Sequence, residues 1–258
     1  MSAPSLEPSE VVLPVTFGRR LHFVWLALMV AIFTFISVTG VMIHRIFQPS
    51  LYTFFIWSRF WARAILKTTG IRVVAEHVPD LPKNESYIFI GNHQNALDVL
   101  VASGYMPIPF GYLAKVELKS APLIGLVLNA FCVFVDRTTA RKALESLKEA
   151  AEIIRSGHSV LIFPEGQRAW SNQLGTFLRG AYDLAVTAGV PLVPFTLKDN
   201  YLVVDERRYV SRPGTVHLAF HPILPVAGCT KKDIPDLLAA SESVIRGADL
   251  LPDAGAIT

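Results

Sequence analysis

Between residues 21 and 43 the chain carries no Asp, Glu, Lys or Arg. A helix over that run, rising about 1.5 Å per residue, is long enough for a hydrocarbon core of roughly 30 Å. Residues 21–43 are therefore predicted to form a hydrophobic helix at or in a membrane. Arg19 and Arg20 precede the run, and His44 and Arg45 follow it. With positive charge at both ends, the positive-inside rule selects no orientation. The run is too long for the apolar part of a secretory signal, and no small-residue cleavage site follows before Gln48-Pro49.

Composition points the same way. Hydrophobic residues make up 52% of the chain and charged residues only 17%, against about a quarter charged in ordinary soluble domains. Mean hydropathy is +0.41. Net charge is +3, but no Lys/Arg stripe is interleaved with base-stacking aromatics, which excludes nucleic acid as a partner. The basic excess suits an anionic bilayer surface. The two cysteines, Cys132 and Cys229, form neither a C-x-x-C pair nor a disulfide framework, so a reducing cytoplasmic setting is allowed. The histidines lack metal-ligand spacing, and neither a metal nor a cofactor is expected.

Residues 51–68 read as a second, amphipathic helix. Arg59, Arg63 and Lys67 recur at helical spacing on one face, while Phe54, Phe55, Trp57, Phe60, Trp61 and Leu66 give a broad apolar aromatic surface. Such a helix can lie at the lipid headgroup boundary or pack on the rest of the protein, and the two are compatible. Beyond Gly70, β-like and helical runs alternate. Residues 71–76, 86–90, 110–114, 131–136, 159–164, 190–197 and 215–221 are predicted strands; 96–103, 139–156, 180–188 and 232–246 are predicted helices. Leu144, Leu147, Ala151 and Ile154 share one stripe of the longest of these helices. The expected fold is α/β: a single domain with a mixed β-sheet flanked by helices, preceded by the hydrophobic helix and the amphipathic membrane helix. The expected division is a tail over 1–20, a membrane-anchoring segment over 21–69, a catalytic domain over 70–247 and a tail over 248–258.

Three segments carry chemistry. Asn92-His93-Gln94-Asn95-Ala96-Leu97-Asp98 follows an apolar run, so His93 falls in a strand-to-helix loop and Asp98 in the first turns of a helix. The carboxylate can reach back to one ring nitrogen and leave the other free as a general base; helix-start aspartates also arise for dipole reasons alone. Phe163-Pro164-Glu165-Gly166-Gln167-Arg168 also ends a strand, where open sheets bind ligands. Arg168 offers a planar fork for phosphate oxygens, and Glu165 can fix that fork or accept from a hydroxyl. A third segment runs from Lys115 through Glu117, Pro122 and Gly125 to Phe134-Val135-Asp136-Arg137, its charges flanking apolar stretches.

Taken in order, these segments make the chain resemble the glycerolipid acyltransferase superfamily, most closely the 1-acylglycerol-3-phosphate (lysophosphatidate) acyltransferases. The resemblance rests on N-H-x-x-x-x-D at 92–98, K-x-E at 115–117 with the later Pro and Gly, F-x-D-R at 134–137, F-P-E-G-x-R at 163–168, F-x-[KR]-G at 177–180 and V-P-[LI]-V-P at 190–194. Gln167, Ala169 and Leu178 depart from the residues most common in the family. The resemblance implies acyl transfer from acyl-CoA or acyl-acyl carrier protein to the sn-2 hydroxyl of lysophosphatidate; other acceptors (glycerol 3-phosphate, another lysophospholipid or a lyso-aminolipid) and a non-catalytic lipid-binding scaffold are the alternatives. It implies His93 as base, Asp98 as its partner, Glu165, Gly166 and Arg168 at the glycerol phosphate, and Lys115 and Arg137 as further positive groups, with Arg179 a weaker candidate. Cys132, in an apolar run, reads as a small buried hydrophobe, and no G-x-S-x-G elbow occurs. The implied location is the cytoplasmic membrane, with the active site on its cytoplasmic face.

Overall fold

The computed structural model describes residues 13–47, 50–120, 128, 132–136 and 138–247. Two helices come first. α1 (Phe17–Phe47) contains the apolar run and extends past both of its ends; Phe17–His44 is long and apolar enough to cross a membrane. α2 (Leu51–Thr68) begins at Ser50, whose hydroxyl accepts the Thr53 N–H as an N-cap. The two helices touch closely because Gly40 has no side chain: a Cβ there would stand 2.4 Å from the Trp57 indole. Trp61 Nε1 also donates to Thr34 Oγ1 at 3.0 Å. One side of α2 is core. Ala62 and Ile65 are fully buried and Leu66 nearly so, each of the larger two stabilising the fold by roughly 1.5–3 kcal/mol.

The α/β part follows as β1 (Ile71–Glu76), β2 (Ile88–Gly91), α3 (Leu97–Tyr105), β3 (Gly111–Lys115), β4 (Val133–Val135), α4 (Ala140–Arg155), β5 (Val160–Ile162), α5 (Gly180–Ala188), β6 (Leu192–Lys198), a short hairpin of β7 (Val204–Asp205) and β8 (Val210–Ser211), β9 (Gly214–Phe220) and α6 (Ile234–Gly247). The main sheet has the order β1-β9-β6-β2-β5-β3-β4. β6, β2, β5, β3 and β4 run parallel; β9 meets β6 antiparallel and pairs with β1 in parallel, so the sheet is mixed. Strand alternation splits the core in two. Phe89, Leu161 and Val193 face α2 and α3, whereas Ile88, Ile90, Val160, Ile162 and Leu192 face α4, α5 and α6.

Three features differ from the sequence reading. The hairpin β7–β8 was not anticipated, being two two-residue strands with no room for a periodic signal. Leu144, placed on the buried stripe of α4, is 51% exposed, while Ala150 is buried instead. The basic stripe of α2 is also used differently. Arg59 donates to the carbonyls of Gly104 (3.2 Å) and Met106 (2.6 Å), and Arg63, though exposed, to that of Gly104 (2.8 Å), so these two cations cap the C-terminus of α3, while Lys67 points outward.

Candidate active site

Each chemistry-bearing segment follows the C-terminal end of a parallel strand, and β6, β2, β5 and β3 are successive neighbours in the sheet. The site is therefore built along one edge, where the connection after β2 leaves for one side and β6 returns on the other. Asn92 closes the end of β2: its side chain donates to the Leu197 carbonyl (2.8 Å) and accepts the Leu197 N–H (2.7 Å), which ties the loop to β6. Asn95 adds bonds to the carbonyls of Asn200 (2.8 Å) and Val204 (2.7 Å), and its Oδ1 accepts the Leu97 N–H at the start of α3.

These ties place His93 and Asp98 together. His93 Nδ1 and Asp98 Oδ2 are 2.6 Å apart. Asp98 is completely buried, which would cost several kcal/mol for an unpaired carboxylate. Its Oδ2 also accepts the N–H groups of Gln94 (2.5 Å) and Asn95 (3.0 Å), and its Oδ1 accepts the Asn200 side-chain amide (2.6 Å). Bonds of that kind to a charged group contribute about 1.5–3 kcal/mol each and offset the burial. The carboxylate holds Nδ1 as the protonated nitrogen. Among the described residues no group bonds Nε2, and the ring lies flat on Phe163, centroids 4.0 Å apart and planes within 9°. The imidazole is thus oriented by a carboxylate on one side and an aromatic face on the other, with its basic nitrogen open.

Glu165 lies behind this arrangement. It is 7% exposed, and its Oε1 accepts the His93 N–H (2.7 Å) while its Oε2 accepts the Gly175 N–H (2.8 Å). Gly175 has to be glycine for this approach, since a Cβ would sit 2.6 Å from Oε2. Burial pushes the Glu165 carboxyl above the usual glutamate range, with the two N–H groups holding it back. Its two oxygens brace the backbone of His93 and Gly175, and among the described residues it makes no bond to the Arg168 fork. Gly166 makes the turn, with φ at +69° and its N–H on the Phe163 carbonyl. Arg168 pairs with Glu206 on the β7–β8 hairpin (3.2 Å), which also accepts from Trp170 Nε1 (2.9 Å). The N–H groups of Ala169 and Trp170 donate to the carbonyls of His93 and Gln94, stitching the two loops together.

Lys115 ends β3 on the same edge, its side chain outside the described atoms, and Arg137, after β4, lies outside the described residues. Arg179 is occupied by Asp183 and the Lys231 carbonyl. Burial pushes the Cys132 thiol up to about 11, too high for a nucleophile at neutral pH. An apolar cavity of about 270 Å³ lies between α1, α2 and α3, lined among others by Val30, Val41, Phe54, Trp61, Tyr112 and Val99, the neighbour of Asp98. Sequence reasoning missed Phe163 as the stacking partner, and Glu206 and Asn200 altogether. For Asn200 a signal existed: Asp199-Asn200 directly follows an apolar strand, as His93 and Glu165 do.

The Acyltransferase family model matches residues 71–198. A 1-acyl-sn-glycerol-3-phosphate acyltransferase of Borreliella burgdorferi is 30% identical over 176 residues, covering 67% of this chain and 69% of that protein. The human 1-acyl-sn-glycerol-3-phosphate acyltransferase alpha is 33% identical over 172 residues, 65% of this chain and 60% of that one. The chain spans about half to two thirds of the length of the curated relatives it matches. Among solved structures, the LPA acyltransferase PlsC from Thermotoga maritima superposes with a TM-score of 0.75 at 22% identity, covering 89% of this chain and 95% of that one, which places the two in the same fold. With the motifs at one sheet edge, the fold shared and the identity extending over most of a full relative, the chain belongs to the 1-acyl-sn-glycerol-3-phosphate acyltransferase family.

Proposed function

We propose that the chain transfers an acyl group from a thioester of coenzyme A or acyl carrier protein to the sn-2 hydroxyl of lysophosphatidate, giving phosphatidate and a free thiol. The observation that carries this reading is the His93–Asp98 pair, Nδ1 held by a buried carboxylate and Nε2 open at the sheet edge. Nε2 takes the hydroxyl proton as the oxygen attacks the thioester carbonyl. The new C–O bond forms, the C–S bond breaks, and the imidazolium returns the proton to the departing sulfur while Asp98 stabilises its charge. No acyl-enzyme is needed. A positioned base contributes roughly 10²–10⁴-fold, so further acceleration comes from orienting the two substrates and from stabilising the oxyanion.

Arg168 is the proposed phosphate ligand. Its side chain is 41% exposed and its pairing with Glu206 is single and partly solvated; such pairs are worth about 1 kcal/mol or less, so the fork can exchange Glu206 for a phosphomonoester. Lys115 and Arg137 would add positive charge from the neighbouring strand ends, while Glu165 and Gly166 would act through the loop they shape. The apolar cavity beside Val99 suits a hydrocarbon chain. The outward face of α1 supports a place at the bilayer, with residues 21–69 as anchor and 70–247 as catalytic domain. Because coenzyme A and acyl carrier protein thioesters are cytoplasmic, the proposed site is the cytoplasmic face of the cytoplasmic membrane.

The test is a detergent preparation given a panel of lyso-acceptors and both donors, with products identified by mass spectrometry. Phosphatidate should dominate. Arg168→Ala should raise the acceptor KM about tenfold or more with little change in the donor KM, and Lys should rescue only in part for want of a bidentate fork. Absence of phosphatidate with either donor overturns the reading, and a defect confined to the donor would move Arg168 to the carrier end.

A further inference from the structure

The two oxygens of Asp98 are served differently. Oδ2 is shared by His93 Nδ1 and two backbone N–H groups, whereas Oδ1 receives the Asn200 amide at 2.6 Å. Asn200 is completely buried just after β6, and its carbonyl accepts both the Asn95 amide (2.8 Å) and the Val203 N–H (3.1 Å), so its main chain is tied in place. Among the described residues its own side-chain oxygen has no partner. A buried polar atom left unpaired is destabilising, a penalty that an apolar side chain filling the same space would avoid. Among the described residues the side-chain amide makes its bond to the carboxylate that orients His93.

We infer that Asn200 is a positioning residue for acyl transfer, the third member of a His93–Asp98–Asn200 array. It clamps Oδ1 so that Oδ2 stays on His93 Nδ1 as the ring becomes an imidazolium. A neutral donor suits this role. A carboxylate only accepts, so its partner must donate; a Lys or Arg there would offset the negative charge that stabilises the imidazolium. The inference rests on His93 acting as the base. The same stretch of chain continues into the hairpin that carries Glu206 opposite Arg168 and Ser211 opposite His22 of α1, so the clamp is anchored at both ends.

Asn200→Asp is the discriminating variant, because it keeps the shape and turns the donor into a second carboxyl against Asp98. Two such groups in contact cannot both ionise readily. While protonated, the new carboxyl still donates to Oδ1; once ionised, it repels it. Among the described residues the other titratable groups facing Asp98 are His93, Glu165 and Tyr112, and Asp199 adjoins Asn200; none is substituted in the variant, so each pH point is taken as a ratio to wild type. That kcat ratio should fall about tenfold or more between about pH 6 and about pH 8.5, with both KM values within about threefold of wild type. Asn200→Ala should lose about tenfold or more in kcat at every pH. A flat ratio for Asn200→Asp, or an Asn200→Ala kcat within about threefold of wild type, overturns the role. If Asn200→Ala fails to fold, as thermal unfolding in detergent would show, the pH ratio of the isosteric variant still decides. His93→Ala run alongside separates the two claims: activity kept there sinks the base, whereas activity lost there with the Asn200 variants intact sinks only the clamp.

Discussion

α2 and α3, with α1 packed on α2, cover one face of the main sheet and α4–α6 the other, and the two layers turn very different surfaces outward. α4 presents Arg141, Glu145, Lys148, Glu149, Glu152 and Arg155, with Arg141 paired to Glu145 and Arg155 to Glu152. α1 buries Leu26, Met29 and Val41 on one side and leaves Phe17 at 84%, Phe35 at 76% and Ile46 at 78% exposed on the other. The inner surfaces obey the same rule, apolar against apolar, so burial alone does not tell the layers apart. Their outer surfaces do. One layer is finished for water by charge, while the other is finished with large hydrophobic side chains that water disfavours and a bilayer accepts. The dyad lies at the sheet edge, with Asp98 on a helix of the apolar layer and Nε2 of His93 open.

The strongest test of this division is that chemistry belongs to the edge and not to either layer. His93→Ala should lower kcat by about 10²-fold or more, equally for acceptors in vesicles and for short-chain acceptors in solution; a variant keeping more than about a tenth of the wild-type rate in a folded preparation removes the base. The next effect separates the layers. Replacing Leu28, Ile32 and Phe35 together by Asp should shift the protein from vesicles to solution in flotation assays and cut turnover of vesicle-borne long-chain acceptors about tenfold or more, sparing short-chain ones, because each buried apolar side chain is worth about 1.5–3 kcal/mol. Charge changes at Lys148 and Glu149 on α4 should leave both unchanged. Deleting residues 1–69 would not make this test, since α2 carries Ala62, Ile65 and Leu66 into the core.

Smaller still is the seam inside the apolar layer. Arg59→Ala removes two bonds to the carbonyls ending α3 and should cost about 1–3 kcal/mol, read as a lower Tm in detergent with both KM values retained. Reversing the charge at Lys67 should hardly change Tm.

The smallest effect is a pH dependence at the edge. Burial holds the Glu165 carboxyl above the ordinary glutamate range, so the folded chain binds that proton more tightly than the unfolded chain. Its stabilising share is full below the ordinary value and is lost as pH rises through the raised one. Glu165→Gln should therefore flatten the fall in Tm across that window, and an unchanged slope would show that the carboxyl does not titrate there.

How much of this was legible in the chain varies with the range of the interaction. The run without charge at residues 21–43 is a helix because length and composition leave little else, and His93 with Asp98 can be paired on paper because the two lie five positions apart across a strand end. Arg59 and Arg63 were also visible as a stripe, but their target was not: the carbonyls of Gly104 and Met106 come near only after α3 packs on α2. Glu165 is the sharper case. Its motif and its place after a strand were visible in the chain, but that its two oxygens take main-chain N–H groups from separate loops was not.

By itself, then, the sequence determined what spacing and composition control: an apolar helix, an amphipathic one, alternating strands and helices, and a histidine beside its carboxylate. Tertiary structure alone decided which groups complete the site. Asn92 reaches Leu197 and Asn200 reaches Asp98 across more than a hundred positions of chain, 105 and 102 respectively, because β6 lies beside β2 in the sheet. Side-chain periodicity records which face of a strand is buried, but not which strand is its neighbour, and a hydrogen bond between strand ends depends on that neighbour.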